Sequence, residues 1–127
     1  MTPLARWITL LVVAIAFAAA ARVDAAGNRY AAIAFSPSTG QYGYGNGFRT
    51  KDEAIERALE ECGADDAITR WSRNAWIALA ISDRTATGWG WGSGWAKTAA
   101  GARAIARRKC LQNNDEATVV LCVSAYR

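Results

Sequence analysis

Histidine is absent from this chain of 127 residues. It is the usual general base near neutral pH, the common partner of Ser and Cys nucleophiles, and the commonest metal ligand. The only cysteines, Cys62, Cys110 and Cys122, lack the CxxC spacing of a redox pair or a metal clamp. The sequence therefore predicts no cofactor and no metal site.

Carboxylates are the remaining catalytic groups, in the paired arrangement that glycosidases use. Glu53, Glu56 and Glu60 recur at three- and four-residue spacing, and Asp83 stands in a turn near an aromatic segment. The same spacing is ordinary on the solvated face of a helix, and Asp is a common turn residue. The sequence leans away from an enzyme, and a small carboxylate-dependent hydrolase is the least favoured hypothesis.

The first 25 residues have the pattern of a signal peptide. Arg6 is followed by an almost unbroken apolar run over 7–21 and then by Val-Asp-Ala, with small residues at the positions that a signal peptidase reads. The run is shorter than the roughly 20 residues that a membrane span requires. We expect cleavage after Ala25, with Ala26 as the alternative. The remaining residues, 26–127, would form one exported domain, periplasmic or secreted, without a stable membrane span.

Positive charge is concentrated in the second half of the expected mature chain. Without the leader, 13 basic and 10 acidic residues remain, and residues 75–127 carry seven of the basic and three of the acidic ones. A basic half suits an acidic partner protein or an anionic envelope polymer. An excess this mild in an exported chain argues against nucleic acid as a partner.

A glycine-rich segment occurs twice, as Tyr42-Gly-Tyr44-Gly-Asn46-Gly-Phe48 and as Trp89-Gly-Trp91-Gly-Ser93-Gly-Trp95. Successive side chains of a strand point to opposite faces, so each copy would place aromatic rings on one face and glycines on the other. The strict period of two differs from the GxGxxG turn of dinucleotide sites. The pattern predicts an aromatic face as the candidate binding surface, made of Tyr42, Tyr44, Phe48, Trp89, Trp91 and Trp95.

Two arrangements of this face are open. In the favoured one, the rings form the core beneath the helices and the glycines face solvent, because buried rings stabilise small domains. In the other, the glycines receive alanine-rich helices at close range and the rings stand exposed for binding. The flanking residues of the candidate surface are Asn46, Asp83, Arg84 and Ser93.

A larger unit surrounds each glycine-rich copy. Residues 31–36 (AAIAFS) match 77–82 (IALAIS), and turn-forming residues follow each. A helical apolar stripe comes after each glycine-rich strand, the first opened by a capping box at 50–53, and a closing strand ends each copy. The sequence therefore predicts an α+β fold of two strand-strand-helix-strand repeats, about 29–74 and 75–127. We expect a mainly antiparallel sheet with both helices packed on one face.

The three cysteines allow three disulfide pairings, each with one thiol left over. Export and the small size of the domain favour an oxidised pair. We expect Cys110 to pair with Cys122, since the first ends a helix and the second lies in the strand expected to return beside it. Closing this loop would stabilise the fold by about 3 kcal/mol. Cys62 would then be free or would link two chains.

The order of the segments resembles a small bacterial family. YAAIAFSPSTG is followed by GYGNG, an Ala- and Glu-rich helix ending in Cys, a WGWG unit and a terminal CVS. Together they resemble the exported domain-of-unknown-function family numbered 4189 over essentially the whole mature chain. The resemblance implies export and the repeated architecture, and no activity. Members generally carry further cysteines near one strand and soon after each helix, at positions that hold Trp76, Asp66 or Ala67, and Glu116 here.

These observations predict a non-catalytic exported binding module. Its first expected target is an envelope-acting protein that it restrains, by analogy with small exported inhibitor and immunity domains. The alternative target is a glycan, such as peptidoglycan or a host polysaccharide, stacked on the Tyr and Trp rings.

Overall fold

The computed structural model describes residues 27–126, and the expected leader lies outside them. All strand pairs are antiparallel, in two sheets of order β2-β1-β3 and β5-β4-β6. The α+β class and the duplicated strand-strand-helix-strand order are confirmed. The elements are β1 Tyr30–Phe35, β2 Tyr42–Phe48, α1 Lys51–Cys62, β3 Ile68–Arg73, β4 Trp76–Thr85, β5 Gly88–Ala96, α2 Ala99–Leu111 and β6 Thr118–Ser124.

Two three-stranded sheets take the place of the single sheet that the sequence analysis expected. They face each other across a shared core to which β1 contributes Ile33 and Phe35, and β4 contributes Ile77 and Leu79. Each helix covers the outer face of its own sheet, so the two helices do not share one face. The reason lies in β1 and β4, which are buried on both faces and therefore need a covering layer on each side.

Small residues bring each helix close to its sheet. Alanines of β1 and β4 pack against alanines of α1 and α2, and glycines of β2 and β5 complete the contact. A Cβ on Gly43 would lie 2.7 Å from the carbonyl oxygen of Ala58, and one on Gly92 would lie 2.6 Å from that of Ala106. The glycine faces therefore receive the helices, and the favoured arrangement with solvent-facing glycines is wrong.

The structural repeat is shifted by two residues from the apparent sequence repeat. Gly43 and Gly92 occupy equivalent places, since each lies against the backbone nitrogen of the cysteine in the last turn of its helix. Gly90, which the sequence aligns with Gly43, packs instead against Ser82 and a loop asparagine. Tyr44 consequently corresponds to Ser93 and not to a tryptophan.

A buried serine at the end of β1 and its equivalent in β4 each bind the loop that follows a helix. Ser36 Oγ donates to Asp66 Oδ1 at 2.5 Å, and Ser82 Oγ donates to Asn114 Oδ1 at 3.2 Å. The Ser36 hydroxyl, together with hydrogen bonds from Ser38, lowers the pKa of Asp66 below its usual value. Each half thus has an equivalent hydrogen bond from a serine to the loop after its helix. The acceptor is a carboxylate in the first half and a side-chain amide in the second.

All three cysteines lie in the described part of the chain, and each is free. Cys122 pairs with Ala78 across the sheet, and its Sγ lies 3.7 Å from the carbonyl oxygen of Ala99, in the first turn of α2. Cys110 lies in the last turn, roughly 16 Å away at 1.5 Å per residue. The predicted Cys110–Cys122 disulfide is therefore wrong. Cys62 is buried at the end of α1.

Gly92→Ala should lower the free energy of unfolding by about 1–3 kcal/mol, because the added methyl group meets backbone atoms of α2 that cannot move independently. The control Ser93→Ala changes the next residue, which points away from the helix, and should shift the same quantity by less than about 0.5 kcal/mol. Urea unfolding measures both. A Gly92→Ala variant at least as stable as the natural protein would contradict the close helix-strand contact.

Asp66→Asn should make stability less dependent on pH below about pH 4. Because the folded pKa is lowered, the stabilisation is fully present above the unfolded pKa and is lost as the pH falls through the lower folded value. An asparagine can still accept the serine bond, as Asn114 does in the second half. Urea unfolding between pH 2 and 5 is the measurement. Asp65→Asn removes the same charge without touching Ser36, and an equal loss of slope there would refute the explanation.

Candidate functional site

The six aromatic residues of the predicted face lie in three different environments. Two rings pack partly buried against the core between the sheets, and one joins the core under α1. Three are exposed, on two strands that belong to different sheets. The single aromatic face is therefore not assembled: Trp89 and Trp91 line the core, Phe48 lies under α1, and Tyr42, Tyr44 and Trp95 are 40%, 43% and 60% exposed.

A β-bulge moves Phe48 off the predicted face. Ala32 pairs with Gly45, but Tyr30 pairs with Phe48, so β2 carries one extra residue between these pairs. The bulge includes Gly47, whose φ of +76° favours glycine. The extra residue reverses the alternation, and Phe48 turns toward α1, where it packs beside Tyr30.

The two partly buried tryptophans hold the halves of the molecule together. The Trp91 ring centroid lies 6.0 Å from that of Phe35 in the opposite sheet. The backbone nitrogen of Trp89 donates to the carbonyl oxygen of Pro37 at 2.9 Å, and its indole fills the space over Gly40. Both rings therefore serve the fold.

Two flanking residues have structural or local roles. Asn46 donates from Nδ2 to the carbonyl oxygen of Ser124 at 3.1 Å, which ties β2 to β6. Arg84 is exposed and pairs across the sheet with Trp89, just beyond a bulge in β4. Asn46 lines a cavity with Tyr44 and Phe48 of its own strand, and neither Asn46 nor Arg84 is among the residues that line the cavity beside Trp95.

Asp83 meets Glu116, and not one of the glutamates on α1. The hydrogen bond and negative charge of Asp83 raise the pKa of the Glu116 carboxyl, with a smaller contribution from Asp115. The α1 glutamates belong to the other half: Glu53 accepts from Thr50 in the capping box, and Glu60 pairs with Arg57. The structure does not bring together the carboxylate pair that the hydrolase hypothesis required.

Trp95 stands in a groove of about 390 Å³ between β3 of the first half and β5 of the second. Ile77 lies among the lining residues, and Thr69 and Ser93 contribute polar groups. The remaining lining residues include one more exposed ring and two cations, Trp71, Arg70 and Lys109. We call this cavity the Trp95 groove.

Arg70 is held in place by its neighbours. Its guanidinium carbon lies 5.1 Å from the centroid of the Trp91 ring, a cation–π geometry, and Nη1 donates to the carbonyl oxygen of Thr69 at 2.8 Å. Lys109 enters the groove from the last turn of α2, where cations suit the helix dipole. One cation thus comes from each half of the molecule.

Sequence reasoning identified Trp95 and Ser93 but missed Arg70, Trp71 and Lys109. Neither face of β3 is apolar along its whole length, and an Arg and a Trp in such a sequence are typical of an ordinary edge strand. The basic end of α2 likewise resembles a solvated helix. Only the packing of one sheet on the other brings them together.

Within residues 27–126, no helix has the length and apolar character to cross a membrane. In the same range, no cluster of three or more His, Cys, Asp or Glu side chains is placed to hold a metal ion.

Comparison with the curated proteins and with the solved structures gave no significant match. A family model does match residues 30–124, from the first strand to the last, and it is described as Domain of unknown function (DUF4189). This range contains both repeats and the whole of the Trp95 groove. The chain therefore belongs to the DUF4189 family.

Proposed function

We propose that this protein is an exported, non-catalytic binding module and that a glycan binds in the Trp95 groove. The observation that carries the proposal is the Trp95 ring, 60% exposed on a strand whose other face is fixed against α2. Trp71, a second exposed ring, lines the same groove, and exposed apolar surface gathered in one place marks a binding site where a single exposed ring does not. A flat amphipathic ring beside hydroxyl and charged groups suits the apolar face and polar edge of a sugar.

The size of the groove favours a glycan over a protein partner. Its volume of about 390 Å³ is within the range of small-ligand sites. A stable protein interface buries about 800 Å² on each partner. The exposed rings do not form one such patch, since Trp95 and Trp71 line the groove, whereas Tyr42 and Tyr44 lie on β2. A restrained envelope protein, the first target expected from the sequence, becomes the alternative outcome of the experiment.

Export supports the same proposal from the sequence. The leader pattern of residues 1–25 would deliver the domain to the compartment where wall and surface glycans occur. The basic second half is consistent with an anionic polymer there.

Trp95→Ala should weaken glycan binding by about tenfold or more, because the stacking surface is lost. Its stability should change by less than about 0.5 kcal/mol, since the ring is largely outside the core. Binding is measured by calorimetry with hexameric oligogalacturonate and chitohexaose, and by co-sedimentation with purified peptidoglycan sacculi.

The matched control is Tyr42→Ala, which removes a similarly exposed ring from the edge of the other sheet. It should bind like the natural protein. If no glycan binds, and one envelope protein is recovered from an envelope extract in stoichiometric amount by both variants, the glycan proposal is wrong and the protein-partner hypothesis replaces it.

A further inference from the structure

We propose that the glycan bound in the Trp95 groove carries carboxylate groups and that Arg70 and Lys109 bind them. This inference rests on the proposed function and specifies the chemical class of its ligand. Among the described residues that line the groove, two are cationic and none is acidic.

The two cations have no anionic partner in the described part of the chain. There, the salt bridges are those that Arg57 makes with Glu60 and Glu61 on α1. The positive charge of the groove is therefore neutralised only by solvent and its ions. A ligand that covers the groove removes part of that solvent, and a neutral ligand would leave both cations without compensation.

Arg70 is oriented before any ligand arrives. Its guanidinium carbon lies over the Trp91 ring in a cation–π contact, and one N–H donates to the carbonyl oxygen of Thr69, so two contacts restrict the side chain. The other donors form the planar fork that matches the two oxygens of a carboxylate. Little side-chain entropy remains to be lost when such a group binds.

Lys109 adds a second positive charge from the opposite wall. The dipole of α2 alone accounts for a cation at this helix end, and Arg108 serves equally well for that purpose. The dipole does not account for Arg70, which belongs to a strand of the other half. Their convergence on one groove with an exposed indole fits a chain of acidic sugars, with rings on Trp95 and carboxylates on the cations.

The test compares hexameric oligogalacturonate with its fully methyl-esterified form, which has the same sugar backbone without charge. The free acid should bind at least about tenfold more tightly, and rising salt should weaken its binding. A second pair, a disaccharide-peptide from peptidoglycan and its amidated form, distinguishes uronic acids from stem peptides as the source of the carboxylates.

Lys109→Gln should reduce the preference for the free acid by about fivefold to tenfold and leave the affinity for the ester unchanged. The control Arg108→Gln removes the same charge from the neighbouring residue outside the groove and should keep the preference. Arg70→Lys retains the charge but loses the planar fork and should keep only part of the preference.

The outcomes separate the two proposals. Equal affinity for acid and ester, with binding still dependent on Trp95, would overturn the carboxylate inference and leave the glycan proposal intact. A fall in preference of equal size in Lys109→Gln and Arg108→Gln would also overturn it, since net charge would then explain the effect. Failure of every glycan to bind would refute both.

Discussion

The close approach of each helix to a glycine-bearing strand determines which face of each sheet carries its large side chains. Gly43 and Gly92 leave no room for a Cβ beneath the last turns of α1 and α2. Once the helix occupies this face, the large side chains of the same sheet must face the other way. They meet their counterparts from the second sheet, and the core between the sheets, centred on Phe35 and Leu79, follows from this choice. Small residues thus face the helices and large residues face the opposite sheet. Two copies of one unit therefore form four layers, in the order helix, sheet, sheet, helix.

The local part of this structure could be predicted from the sequence, because it depends on short-range patterns. Thr50 and Thr98 both accept the backbone bond expected of an N-cap, and the unit order follows from periodicity and turn residues. The number of sheets was harder to predict. The alternation of Ala with Ile, Phe or Leu in β1 and β4 is apolar on both faces. This alternation predicts a covering layer on each side of the sheet only if the glycines of β2 and β5 are already known to face a helix.

The candidate site could be predicted less well than the fold, for a physical reason. The register of β2 depends on a bulge at Gly47 that no residue pattern separates from the regular glycine alternation. The groove combines Arg70 from the first repeat with Lys109 from the second, and neither has an unusual local sequence. The exposed indole of Trp95 lies within a motif that is plain in the sequence, yet its neighbours Trp89 and Trp91 turn into the core. The packing of one half against the other determines which of these tryptophans are partly buried and which one is exposed.

The two repeats also explain why, within residues 27–126, the groove with Trp95 lies at one junction between the sheets and has no counterpart with an exposed indole at the equivalent junction. The junction of β2 with β6 is the counterpart of the junction of β5 with β3, and Asn46 takes the place in β2 that Trp95 takes in β5. At the first junction, Asn46 donates to the carbonyl oxygen of Ser124, and the bulged Gly47 donates to that of Ala125, which closes the edge. At the second, the Trp95 side chain makes no hydrogen bond to β3 within the described residues, and the groove stays open beside Arg70. The difference between Asn46 and Trp95 at equivalent positions therefore gives a closed junction in one place and a candidate binding site in the other.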